Sequence, residues 1–464
     1  MCGIFGIYNH REASNLAYLG LHSLQHRGQE SAGIASTDGT TMYNKREMGL
    51  VSDIFDEQVL EGLKGHTAIG HVRYSTAGSS DIKNAQPFVV GYSKGSLAVA
   101  HNGNLTNAKI IREELENYGS IFQSTTDTEV IVHLIALSHE NATLDRLISA
   151  LRRIEGSYSL LVLTDKEMIA VRDPYGFRPL VMGKLKDSYV FSSETCAFDL
   201  IEAEYIREVE PGEVIHVTRD GLHSYSPLKK VEPRRCIFEY IYFARPDSQI
   251  FGRTVYQVRK DFGRELAREC SVEADIVVPV PDSGISAAIG YSQASGIPFE
   301  MGLIRNHYVG RTFIEPKESI RHFGVKLKLN AAHDTVKGKR IVVIDDSIVR
   351  ATTGRKIITM LRQQGAKEIH FRVTSPPTRF PCFYGIDIAS RSELIASYND
   401  VEEINRYMTS DTLEYLSIDG LKRAIGNGSE SFRYTFCDAC FSGHYPSRFP
   451  WGMELEQMEL FVKR

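Results

Sequence analysis

Met1-Cys2-Gly3-Ile4-Phe5-Gly6 opens the chain, and the apolar run it begins continues to Tyr8. A run so rich in Ile and Phe reads as a strand that starts almost at the terminus and would hold Cys2 rigidly. Removal of Met1, which a small neighbour such as Cys2 permits, leaves a thiol and a free α-amine on one residue. With a thiol pKa of about 8.5 and an α-amine of about 7.7 to 8.0, the amine takes the thiol proton directly or through a water. Cys2 is then a self-contained nucleophile and base. Read alone, a single Cys is weak evidence of catalysis and Cys2 is better taken as just the second residue of a chain, so the reading rests on what surrounds it.

The 464 residues exceed what one hydrophobic core usually serves, so two domains are expected. A hydrophobic share of 42% and a charged share of 24% are those of a soluble globular protein, and a net charge of -4 argues against general attraction to nucleic acid or membrane. No apolar run approaches the roughly 18 to 20 residues that span a bilayer, which places the chain in the cytoplasm. Seven cysteines, an odd number without a secretion signal, read as reactive, buried or metal-ligating thiols rather than disulfides.

Outward from Cys2, a helix carrying Leu16, Leu19 and Leu24, capped by Ser14 or Asn15, ends at His26-Arg27-Gly28. Strands at 67–75 and 96–100 each run into polar residues, Gly70-His71-Val72-Arg73 and His101-Asn102-Gly103-Asn104. A helix from Thr143 and strands near 160–163, 168–171 and 189–192 complete a half that reads as antiparallel sheets faced with helices. Taken singly, Asn102-Gly103 is also a hairpin turn, Arg73 a surface charge and Asp127 a helix cap.

Past a polar junction at 224–235 the pattern changes. A helix over 255–270, a strand over 275–280, the turn Pro281-Asp282-Ser283-Gly284 and a helix over 285–295 follow one another. The strand 339–344 then runs into Asp345-Asp346-Ser347 and another helix, an alternation that implies a parallel sheet with ligands at the carboxyl ends of its strands. Paired carboxylates followed by hydroxyls and a helix start suit a sugar phosphate and a hydrated Mg²⁺. No P-loop of the ATP-hydrolysing type is present.

Cys2-Gly3-Ile4-Phe5-Gly6, Gln25-His26-Arg27-Gly28, Gly70-His71-Val72-Arg73, His101-Asn102-Gly103-Asn104, Asp127-Thr128-Glu129 and Ser192-Ser193-Glu194-Thr195 occur in the order seen in N-terminal-nucleophile glutamine amidotransferase domains. The second half resembles type I phosphoribosyltransferases, and the pairing resembles the iron–sulfur branch of the amidophosphoribosyltransferase family. The resemblance implies an αββα sandwich over residues 2–230 and, over 231–464, a phosphoribosyltransferase domain with a parallel sheet and a cluster-binding tail. It implies that Cys2 attacks the glutamine side-chain amide, that Asn102 and the Gly103 N–H form the oxyanion hole, and that Arg73 and Asp127 hold the α-carboxylate and α-ammonium. Asp282, Ser283 and Gly284 are then the pyrophosphate loop of a site for 5-phosphoribosyl-1-pyrophosphate. Asp345 and Asp346, with Ser283, are Mg²⁺ ligands, one ion per subunit, and Ser347, Arg350, Thr352 and Thr353 belong to the 5′-phosphate cradle. Arg305, Tyr308, Gly310 and Arg311 fall in a mobile catalytic loop, or are plain surface residues. The implied reaction makes phosphoribosylamine, glutamate and pyrophosphate, the entry to purine synthesis, in a homotetramer inhibited by purine nucleotides.

Cys437-Asp438-Ala439-Cys440 has the C-x-x-C spacing of two ligands to one metal centre, which by itself leaves zinc open. With Cys236 and Cys382 it matches the ligands of a 4Fe-4S cluster in the iron–sulfur branch, one per subunit. Cys196 and Cys270 lie in apolar-patterned segments and read as buried thiols. Only Met1 precedes Cys2, so maturation is expected to be its removal. Two other classes compete: an amidotransferase with a different acceptor, against which Asp345-Asp346 argues, and a non-catalytic regulator, which would carry a basic DNA-binding module.

Overall fold

The computed structural model describes residues 1–74, 80–307, 329–387, 391–426 and 436–447. Strands of its first half are β1 (Gly3–Tyr8), β2 (Ser31–Thr37), β3 (Met42–Met48), β4 (Thr67–Arg73), β5 (Phe88–Tyr92), β6 (Gly95–Leu105), β7 (Gly156–Thr164), β8 (Met168–Arg172), β9 (Val181–Leu185), β10 (Ser188–Ser192), β11 (Glu204–Glu208), β12 (Val214–Thr218) and β13 (Gly221–Tyr225). They form two antiparallel sheets, ordered β11-β9-β10-β1-β4-β2-β3 and β13-β12-β8-β7-β6-β5.

β1 lies inside the first sheet, between β10 and β4, and is covered on both faces. Ile4 and Tyr8 enter the core between the sheets, with Ala98 and Leu161. Phe5 and Ile7 enter the core beneath helix α1 (Ala13–Ser23). Burial on both faces is why the strand reads as an unbroken apolar run. α1 seats closely because its Gly20 lies on the Phe5 ring, where a Cβ would stand 2.3 Å from Phe5 Cδ2. Helices Ala108–Asn117, Thr128–Leu137 and Thr143–Leu151 cover the other sheet through Ile111, Ile131 and Leu147, which completes the αββα layering.

Two local expectations fail. α1 begins at Ala13 without a side-chain cap, because the Ser14 hydroxyl donates instead to Leu63 O at 2.5 Å. Asn102-Gly103 is not a turn: β6 runs on to Leu105, and the pair lies opposite Ser159 and Tyr158 of β7.

In the second half α2 (Val255–Glu269), β14 (Ile276–Pro279), α3 (Ile285–Ser295), β15 (Arg340–Asp345), α4 (Thr352–Gln363), β16 (Glu368–Val373), α5 (Val401–Met408) and β17 (Thr412–Tyr415) alternate. The strands make a parallel sheet in chain order. Along β15, Ile341 and Val343 pack with α4 and α5, whereas Val342 and Ile344 pack with α2 and α3. Parallel pairing requires such crossovers, and it gathers the carboxyl ends of all four strands at one edge. A short parallel pairing of Arg235–Cys236 with Phe436–Cys437 ties the junction to the tail. No described helix is long and apolar enough to cross a membrane.

The halves meet on buried charge. Arg27 Nη1 lies 2.5 Å from Glu194 Oε1 and Arg27 Nη2 lies 2.8 Å from Glu239 Oε1, with Arg178 Nη1 3.4 Å from the same Glu239 oxygen; all four side chains are fully buried. Burial alone would raise the Glu194 pKa, but the charges of His26 and Arg27 hold it far below the usual carboxylate range. Glu239 comes from the second half and touches two arginines of the first, so the two buried cations are balanced only when it joins Glu194. Glu239→Ala should cost about 3–5 kcal/mol by stranding buried charge, seen as a lowered denaturant midpoint of the unfolding transition. An unchanged midpoint would show that the two halves do not depend on this contact.

Candidate active site

Cys2 is buried, at the edge where β1 meets the inter-sheet core. Its backbone N–H donates to Asn102 Oδ1 at 3.3 Å, its carbonyl accepts from Arg27 Nε at 2.9 Å, and its thiol stands 3.7 Å from Tyr74 O. Asn102 is fully buried, and its Nδ2 finds no acceptor among the described residues. The Asn102 side-chain amide thus accepts from the Cys2 N–H at one end and, among the described residues, leaves a donor unpaired at the other. At Gly103, φ is +158° and a Cβ would lie 2.0 Å from Ser157 O, so only glycine fits. The Met1 α-amine is buried; burial, then the Arg178 and Arg27 charges, lower its pKa to about 5.

Arg73 is buried rather than a surface charge, and its Nη1 lies 2.6 Å from Glu30 Oε1. Asp127 does not cap the following helix. Its Oδ2 accepts from the Leu105 N–H at 2.8 Å, and its Oδ1 lies 3.6 Å from His101 Nδ1. Burial opposes charge on His101, but the Asp127 carboxylate outweighs it and raises the imidazole pKa. Asp127 is correspondingly lowered, because His101 and the hydrogen bonds outweigh its own burial. Sequence reading did not assign roles to Arg27, Glu30, Glu194 or Glu239. The motifs around residues 25–28 and 192–195 were a signal for two of them, and nothing local marks Glu239.

In the second half, β15 ends at Asp345. Asp345 and Asp346 are both buried; the Asp346 N–H donates to Asp345 Oδ1 at 2.9 Å, and the Ser347 hydroxyl donates to Asp346 Oδ2 at 2.5 Å. Burial, reinforced by the neighbouring Asp346, pushes the Asp345 carboxyl well above its usual range. The Asp282-Ser283-Gly284 turn presses against this strand end: a Cβ on Gly284 would stand 2.3 Å from Ile344 O. Arg305 pairs with Asp282, and Arg350 pairs with Glu393. Thr352 and Thr353 open α4 behind Ala351, whose φ of +58° is left-handed. Gly354 also has a packing role, since a Cβ there would meet Met408 Cε at 2.6 Å. Tyr308, Gly310 and Arg311 lie outside the described residues.

Cys236, Cys382, Cys437 and Cys440 line one small pocket, walled by Phe177, Tyr384 and Tyr445. Cys236 and Cys437 are brought side by side by the junction-to-tail pairing. Burial pushes the Cys236 thiol up to about 11 and Cys437 and Cys440 well above the ordinary thiol value. Among the described residues, no three His, Cys, Asp or Glu side chains converge as the donors of a single ion would. Cys196 is buried as expected, its thiol pushed by burial up to about 12. Cys270 is not: it is only partly buried, at the end of α2, where the apolar face of that helix gives out.

Residues 71–199 match the glutamine amidotransferase domain family. Over 447 residues the chain is 55% identical to amidophosphoribosyltransferase 1, chloroplastic, of Arabidopsis thaliana, covering 96% of this chain and 78% of that one. It is 51% identical to the amidophosphoribosyltransferase of Bacillus subtilis, covering 96% and 94%. The solved structure of the glutamine phosphoribosylpyrophosphate amidotransferase from B. subtilis, complexed with ADP and GMP, superposes with a TM-score of 0.93 at 49% identity, covering 99% of this chain and all of that one. Likeness at this level over nearly the whole length, on a fold whose first half presents a cysteine beside an unpaired amide donor, makes this chain a member of the amidophosphoribosyltransferase family.

Proposed function

We propose that this enzyme hydrolyses glutamine at Cys2 and uses the ammonia to displace pyrophosphate from 5-phosphoribosyl-1-pyrophosphate at the carboxyl edge of the parallel sheet, giving phosphoribosylamine for purine synthesis. The observation that carries the reading is the Asn102 amide. A buried N–H without an acceptor costs about 1–3 kcal/mol in the resting protein, and it gains a partner when the substrate carbonyl becomes an oxyanion. Once Met1 is removed, the Cys2 nitrogen becomes an α-amine able to take the thiol proton. Arg73 and Asp127 would hold the two ends of the amino acid, Arg73 sharing its guanidinium between Glu30 and the α-carboxylate.

At the second centre Asp345 and Asp346, with Ser283, would hold Mg²⁺. Two buried neighbouring carboxylates that resist joint ionisation fit a divalent cation, which when bound neutralises the pyrophosphate leaving group. The turn at Asp282, Ser283 and Gly284 and the stretch of Ser347, Arg350, Thr352 and Thr353 would then receive the two phosphate ends. Arg305 sits at the entrance of the loop expected to close over the sugar.

The four cysteines fit a 4Fe-4S cluster better than zinc. Four sulfurs around an apolar and aromatic cavity suit a bulky thiolate-ligated centre, whereas one tetrahedral ion would need them drawn together. The cluster would supply a structural tie between junction and tail. A cytoplasmic homotetramer inhibited by purine nucleotides completes the reading, supported for the nucleotides by the ADP and GMP bound to the B. subtilis relative.

An assay with glutamine, 5-phosphoribosyl-1-pyrophosphate and Mg²⁺ should release glutamate and pyrophosphate in equal amounts; glutamate alone would reject the transferase half. Cys2→Ala should abolish glutamine use and leave ammonia-driven synthesis largely intact. Asn102→Ala should slow glutamine hydrolysis about 10²- to 10³-fold, measured as glutamate release. Protein purified without oxygen should carry about four iron and four sulfide per chain, with loss of both in Cys437→Ser. One zinc per chain and no iron would make the centre mononuclear.

A further inference from the structure

The oxyanion hole is braced from outside its own half. Asn104, one residue past Gly103 and buried, donates from Nδ2 to the backbone carbonyl of Phe383 at 2.9 Å, across 279 positions of sequence. Beside this bond the two backbones touch: Gly385, at φ +94°, lies so close that a Cβ on it would stand 2.9 Å from both the carbonyl carbon and oxygen of Gly103. On its other side Gly103 meets Ser157 O, so its α-carbon and carbonyl are held between β7 and the segment 382–385, and the Gly103 N–H is set through the α-carbon that carries it. That segment begins at Cys382, which lines the cysteine cavity. It is fixed in turn by the Arg178 Nε bond to Tyr384 O at 3.0 Å, by the stacking of Tyr384 on Phe177 with ring centres 4.1 Å apart, and by the Tyr384 N–H to Cys382 Sγ contact at 3.4 Å.

From this arrangement we infer that residues 382–385 are a brace that sets the Gly103 peptide for glutamine hydrolysis, with Asn104 and Gly385 as its positioning residues. The inference rests on the reading of Cys2, Asn102 and Gly103 given above. A backbone donor stabilises an oxyanion only when aimed at it before the reaction begins, and displacement on the order of 1 Å costs about 10²-fold in rate. The segment that supplies a cavity cysteine is therefore also part of the geometry of glutamine chemistry. Asn104 and Gly385 touch neither substrate nor reacting atoms, and they act only through Gly103.

The test uses the full-length enzyme with Asn104→Ala and Gly385→Ala. Both are expected to lower kcat for glutamate release about ten- to a hundredfold, with KM for glutamine within about twofold and ammonia-driven synthesis unchanged. Alkylation of Cys2 by 6-diazo-5-oxonorleucine, whose ketone needs the oxyanion site, should slow by a similar factor. Alkylation by iodoacetamide, which does not, should keep its rate, and iron and sulfide content should match the parent. If diazo-ketone labelling keeps its parental rate, or if ammonia-driven synthesis falls together with glutamine use, the brace is only structural and the inference is wrong. Should Gly385→Ala not fold, Asn104→Ala decides alone, because it removes one hydrogen bond and introduces no clash. A parent enzyme that releases no glutamate would instead overturn the underlying reading, and the inference with it.

Discussion

The contact on which the rest of this structure depends is the buried meeting of Arg27 with two carboxylates. Its guanidinium spans Glu194 from its own half and Glu239 from the other, and its Nε holds the Cys2 carbonyl. Burying charge is expensive unless every partner is present, so this group is satisfied only when both halves are folded and docked. The placement of Cys2 is thereby made conditional on the docking of the second half. Arg178 strengthens the condition by reaching both Glu239 and the Tyr384 carbonyl.

The two chemical centres are built on opposite electrostatic principles. Around Cys2 the protein buries a donor that has no acceptor among the described residues, the Asn102 amide. At the carboxyl end of β15 it holds negative charge in excess, Asp345 against Asp346, so that protonation or a cation must relieve it. A pre-aimed donor suits an anion that exists only briefly, and an acidic pair suits a metal that stays through the turnover.

Much of the fold was legible in the chain because strands buried on both faces leave continuous apolar runs, as at Gly3–Tyr8 and Arg340–Asp345, and the candidate residues Cys2, Asn102, Gly103, Asp345 and Asp346 stood out because they lie at or beside the ends of such runs. The failures have physical causes. Asn102-Gly103 has the composition of a tight turn, but β6 continues because β7 supplies partners up to Leu105. Ser14 is a good cap residue that found a better acceptor in Leu63 O. Cys270 sits on an apolar helical pattern whose last turn runs out of core to cover it. The pairing of Glu239 with Arg27 and the contact of Gly385 with Gly103 join residues hundreds of positions apart. No periodicity or spacing encodes such encounters, since they depend on how finished layers meet.

The parallel pairing of Arg235–Cys236 with Phe436–Cys437 has a consequence for biogenesis. Cys437 arrives with the last strand that the chain forms among its described residues and Cys440 with the short helix after it, whereas Cys236 waits from the start of the second half and Cys382 from late in it. During synthesis from the amino terminus, a nascent chain can shape both sheets of the first half well before the thiol pocket can close. Closure of that pocket is therefore a late event in folding, dependent on the junction having stayed open to receive the tail.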